Sequence, residues 1–182
     1  MSYGDERRYG NQQSFGNRNG SGGGFQKKAD KPDLTFAPQS LEFKFYDEKG
    51  HIQEKLFDET ANNIAKTFIG RDSNGKPDHV SSTQLRKFFD ELKSFEKYFV
   101  SIEESKWEEK KPYIKMMKSK IAYAIARKGA TKGVYKNLEK FIIDGINQVN
   151  KEKDYFTFLS LFEAVCGFYC QILLDNNFKL ND

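Results

Sequence analysis

The segment YFTFLSLFEAVCGFYCQILL, residues 155–174, runs for twenty positions with one charged side chain, Glu163, near its middle. A helix of that length and apolarity has two homes, a bilayer or the centre of a helical core. A carboxylate at the midpoint opposes membrane insertion by about 2–3 kcal/mol. Thr157, Ser160, Gly167 and Gln171 dilute the segment further. The expectation is a central helix wrapped by other helices, with no membrane as partner. At 182 residues the chain has room for one domain with a real core, plus a tail.

The wrapping helices can be read from residue 58 onward. Asp58 precedes ETANNIAKTFIG, in which Ile64 and Phe68 share a face and Gly70 stops the turn. RDSNGKPDHV, residues 71–80, reads as loop from its Asn-Gly pair and proline. Ser81 and Gln84 then make an S-x-x-Q capping pattern. Leu85, Phe88, Phe89, Leu92, Phe95, Phe99 and Ile102 follow at helical spacing, which predicts an amphipathic helix to about residue 104. Pro112 suits the first turn of a third helix, and Gly129 ends it. A fourth, over about 132–149, carries Tyr135, Leu138, Phe141, Ile142, Ile146 and Val149, and Asp154 caps a fifth. Five helices with short connections predict an all-α bundle over residues 58–182.

The first 57 residues are of another kind. Residues 1–30 are rich in Gly, Asn and Arg with scattered aromatics, a composition that cannot bury enough surface to offset ordering entropy. A disordered tail is expected there. Residues 31–57 read as an extension in which Leu41, Phe43 and Phe45 alternate before a glycine-bearing turn and a poorer run from Ile52, the pattern of a small hairpin.

Several chemistries lack the residues they need. Cys166 and Cys170 lie four apart in an apolar segment, a spacing that suits two buried small hydrophobes better than a disulfide. With no further Cys and no His nearby they do not compose a zinc site, and no cofactor motif occurs. His51 and His79 fall in turn or loop segments without a nucleophile partner in the sequence. The reading is of a protein that is not an enzyme. The N-terminal residues show no apolar h-region, so no secretory signal is expected and a reduced, cytoplasmic setting is the default.

Charge is informative through its arrangement, since the net is only +4. From Lys110 to Lys136 there are nine basic residues and no acid. At 100° per residue, Ile114, Met117, Ile121 and Ile125 form a buried stripe, and Lys120 and Arg127 project together beside it with Met116 and Tyr123. Lys111, Lys115 and Lys118 edge the other side. On the preceding helix Arg86, Lys93 and Lys97 fall within about 40° of one another. Asp90 shares that side, so an ion-pair ladder from Asp90 to Arg86 and Lys93 is an equal reading of those three. One-sided, spaced cations with no recognition-helix pattern suit phosphate tracking rather than base reading.

In this order the segments SSTQLRKFFDELKSFE (81–96), YIKMMKSKIAYAIARKG (113–129), LEKFIIDGINQV (138–149) and DYFTFLSLFEAV (154–165) resemble the small helical subunit of type III-A CRISPR effector complexes, the Csm small subunit. The resemblance covers about residues 58–170. It implies a non-catalytic, all-α subunit, stacked in several copies beside other effector-complex subunits that carry the CRISPR guide RNA. It also implies sequence-independent contact with target RNA phosphates. Arg86 matches the family's basic residue in the first capped helix, and Lys120 and Arg127 match those of the later basic helix. Lys93, Lys97 and Lys128 join the expected RNA-binding set from charge alone. The C-terminal segment CGFYCQILLDNNFKLND departs from the family's Tyr/His-rich ending. Two rival readings of the residues are a stand-alone helical protein for single-stranded nucleic acid and an adaptor whose aromatic stripes take partner helices.

Overall fold

A computed structural model describes residues 41–72, 74–99, 106–127 and 133–178. A π-helical turn, Leu56–Thr60, leads into α1 (Ala61–Lys66). Strands β1 (Ile69–Arg71) and β2 (Pro77–His79) follow, then α2 (Ser82–Lys93) and α3 (Glu96–Phe99). The rest of the described chain is α4 (Trp107–Lys115), α5 (Met117–Arg127), α6 (Val134–Gln148) and α7 (Glu152–Asp175). Ser94 after α2 and Met116 between α4 and α5 keep right-handed helical dihedrals, so these segments combine into five rods. The all-α, five-helix expectation holds.

The apolar segment that opened the sequence is α7, and it is the axis of the core. By length and composition it could cross a membrane. Here its Tyr155, Phe158, Leu161, Phe162, Val165, Tyr169 and Leu173 are buried by the protein itself. Phe162 meets Phe141 of α6 edge-on, with ring centroids 5.2 Å apart, and also meets Phe89 of α2. Phe68 packs against Tyr169 at 5.8 Å. The two buried tyrosine hydroxyls are satisfied by carbonyls, Tyr155 donating to Leu92 at 2.9 Å and Tyr169 donating to Val80. Burial raises both hydroxyls above the usual tyrosine pKa. Glu163, the one charge in that segment, lies on the exposed side of α7.

Helices α6 and α7 approach closely because Gly145 has no side chain. A Cβ built there would lie 2.0 Å from the Phe158 ring. At the start of α7, Asp154 accepts the Asn150 and Lys151 backbone N–H groups at 3.0 and 3.1 Å and the Tyr46 hydroxyl at 2.8 Å. Asp154 thus caps α7 from its third residue rather than from the residue before it.

Residues 41–57 are built into this body. Phe45 and Leu56 are fully buried, and Phe45 packs against Phe158. The Gln148 side chain at the end of α6 accepts the Phe45 N–H and donates to the Phe43 carbonyl, both at 3.1 Å, as a neighbouring strand would. Tyr46 and Ile52 form an antiparallel bridge around a turn in which Gly50 has φ +78°. The expected tail over residues 1–30 and the first part of the 31–57 extension lie outside the described residues.

Four local expectations are corrected. Residues 71–80 are not all loop: β1 and β2 pair antiparallel, Ile69 opposite His79, and Asn74-Gly75 makes the tip with Gly75 at φ +73°. Asn-Gly between extended segments is a hairpin signal, because both positions tolerate positive φ. Gly70 is a strand residue, and α1 ends earlier, at Lys66. Ser81 is the N-cap of α2, but its side chain makes no capping bond; its N–H donates instead to the Tyr135 hydroxyl. Pro112 sits inside α4, where it leaves the Glu108 carbonyl without its helical donor, and the helix is interrupted four residues later at Met116. Gly129 lies outside the described residues.

Candidate nucleic-acid interface

The acid-free basic run occupies α4 and α5. Its buried stripe is as expected, with Ile114, Met117, Ile121 and Ile125 in the core. The cations around that stripe have diverged in role. Lys115 donates to the Ile146 carbonyl at 2.7 Å, and Lys118 to the Asn147 side-chain oxygen. Trp107 Nε1 donates to the Asn150 carbonyl at 2.6 Å. These three side chains fasten α4 and α5 to the last turn of α6 and the residues just after it, where the dipole favours a cation; the Ile146 carbonyl also accepts the Val149 N–H at 3.2 Å. Burial, then the charges of Lys118 and Lys111, lower the Lys115 pKa from its usual value. Lys111 pairs with Glu108 at 3.7 Å.

On the other flank, Tyr113, Met116, Lys120, Tyr123 and Arg127 fall within about 80° at helical geometry. Tyr113, Met116 and Tyr123 are 54%, 48% and 68% exposed. Arg127 is exposed and makes no ion pair with a described residue. Lys120 is half-exposed and held by the Glu91 carboxylate of α2. The alanines and serine beside this face, Ser119, Ala122 and Ala126, are exposed and leave it unobstructed.

Arg86 does not join that ridge. It stands near Cys166 of α7, whereas Glu91, which meets α5, lies five residues on and so about 140° around α2. Lys120 and Arg86 therefore flank opposite sides of α2, and the expected single ridge divides into two patches. The second patch holds Arg86 and Lys93, both exposed, with Lys97 exposed on α3. No ion pair links Asp90 to Arg86 or Lys93 among the described residues; Lys93 sits 5.7 Å from the centre of the Phe89 ring instead. Lys128 lies outside the described residues.

Other chemistry is sparse. His79 packs on Phe178 with centroids 4.5 Å apart, and His51 is an exposed turn residue 3.8 Å from Asp47. Among the described residues no group of three or more His, Cys, Asp or Glu could hold a metal ion. A cleft of about 1110 Å³ lies between residues 42–46 and the end of α6. Within it Lys140 pairs with Asp144, and the Tyr46 hydroxyl donates to Asp154.

Nothing in the local sequence signals the interhelical partners of Lys115, Lys118 and Lys120, because the acceptors lie about thirty residues away on other rods. A family model described as Csm2 Type III-A matches residues 51–170. No curated protein and no solved structure matches the chain.

Proposed function

The chain belongs to the Csm2 family, the small subunit of type III-A CRISPR complexes, and on that premise we propose that it is an RNA-binding structural subunit without a catalytic role. In this reading Arg127, with Lys120 and the neighbouring Lys128, contacts RNA phosphates from the exposed face of α5. Arg86, Lys93 and Lys97 form a second, separate contact patch. The observation that carries the proposal is the pairing of exposed Arg127 and Tyr123 on a face with no acid between residues 110 and 127.

Two or three phosphate contacts in each patch bind a single strand weakly, each adding about 0.7 to the log–log salt slope. Useful affinity requires repetition. Several copies stacked along one strand, beside subunits that hold the guide RNA, would supply it through effective concentration. Target RNA, brought to the complex by the guide, is the natural ligand of such a surface.

The test is reconstitution of the complex with the Arg86→Glu plus Arg127→Glu chain. Normal assembly with loss of target-RNA retention is the expected result. Unchanged retention refutes the RNA role and leaves the adaptor reading.

A further inference from the structure

We propose that the α5 face binds bases as well as phosphates, with Tyr123 as a stacking platform for a nucleobase and Tyr113 as a second platform along the same strand; this rests on the RNA reading above. The ordinary place for a tyrosine in this protein is the core, where Tyr155 and Tyr169 are fully buried and bonded. Tyr123 is 68% exposed instead, and Tyr113 is 54% exposed. Neither ring makes an aromatic contact with a described residue.

The surroundings of Tyr123 suit a flat ligand carrying a negative linker. One turn before and after it stand Lys120 and Arg127, and the other near neighbours are Ser119 and Ala126, too small to cover the ring. A base lying on the ring would place its flanking phosphates toward those two cations, the arrangement used by proteins that hold single strands. Tyr113 lies ten residues earlier, about 15 Å along the axis, with exposed Met116 between them. The residues that α4 and α5 contribute to the face from Lys110 onward include no acid, and the Glu91 carboxylate beside it is engaged by Lys120, which favours this polyanion over a protein partner of mixed charge.

The discriminating probes are a fluorescent uridine 12-mer and an abasic 12-mer of identical phosphate content, titrated against the full chain by anisotropy at low salt. The wild-type chain is expected to prefer the uridine strand by about tenfold, the lower range of one stacked base. Tyr123→Ala should erase most of that preference without changing the salt slope, and Tyr123→Phe should keep it. Arg127→Gln should weaken both strands alike and lower the slope. Equal binding of the two strands by the wild type, or a Tyr123→Ala loss shared by both, overturns the stacking proposal while the phosphate reading stands. Failure to bind either strand overturns both.

Discussion

Lys120 of α5 donates its ammonium to the Glu91 carboxylate of α2, twenty-nine residues away. The cation at the middle of the acid-free run therefore reaches the surface with its charge partly cancelled. Arg127, one heptad further along the same face, has no such partner among the described residues. A strand approaching α5 meets one free cation and one that it must share with a carboxylate.

Glu91→Gln should release Lys120. Because both side chains are more than a third exposed, the stability change should be within about 1 kcal/mol. RNA affinity should rise, and the log–log salt slope should steepen by about 0.7. Anisotropy across a salt series reads both. An unchanged slope would place Lys120 away from the strand.

Gly145→Ala tests the α6–α7 contact. The new methyl group would collide with the Phe158 ring, whose side chain is fully buried and has nowhere to withdraw. A loss of about 1–3 kcal/mol is expected in urea unfolding, the usual cost of overpacking. In a Phe158→Leu background the same substitution should cost less, since the two residues are in direct contact.

His79 should make stability sensitive to mild acid. Burial, opposed in part by the nearby Asp78 charge, lowers its pKa below the ordinary 6.5. As pH falls through about 6.5, the unfolded chain takes up a proton that the folded chain resists. The contribution is thus present above 6.5 and lost below it, until the lowered folded pKa is reached. His79→Gln should flatten the difference in melting temperature between pH 7 and pH 5.5 relative to the wild type.

Cys166 should be chemically quiet. Burial, reinforced by neighbouring Cys170, pushes its thiol up to about 12, so almost no thiolate exists at neutral pH. Iodoacetamide at pH 8 should label Cys166 in the folded chain far more slowly than in urea, as read by peptide mass. Equal rates would contradict the partial burial of Cys166 on α7.

The five rods were legible because apolar periodicity is a local property. Phe88, Leu92, Phe141, Ile146 and Phe162 each announce a buried face from their own neighbours. The hairpin at residues 69–79 carried its signal too, in Asn74-Gly75, although that pair followed by Pro77 fits a plain loop equally well. The division of labour among the lysines was not legible. Whether Lys115 points to RNA or to the Ile146 carbonyl depends on how α4 and α5 lie against α6, and no count of charges within the run contains that packing. The separation of Arg86 from Lys120 has the same origin. Wheel angles place a side chain on its own helix, and only the neighbouring helix decides which partner that direction meets.

The most direct measurement is ultraviolet crosslinking of bound target RNA in the assembled complex, followed by trypsin and mass spectrometry. Cleavage after Lys120 and Arg127 isolates the peptide Ile121–Arg127, which contains Tyr123. A nucleotide adduct on that peptide, at Tyr123, is the expected result. Adducts confined to other parts of the chain, with this peptide recovered unmodified, would contradict it.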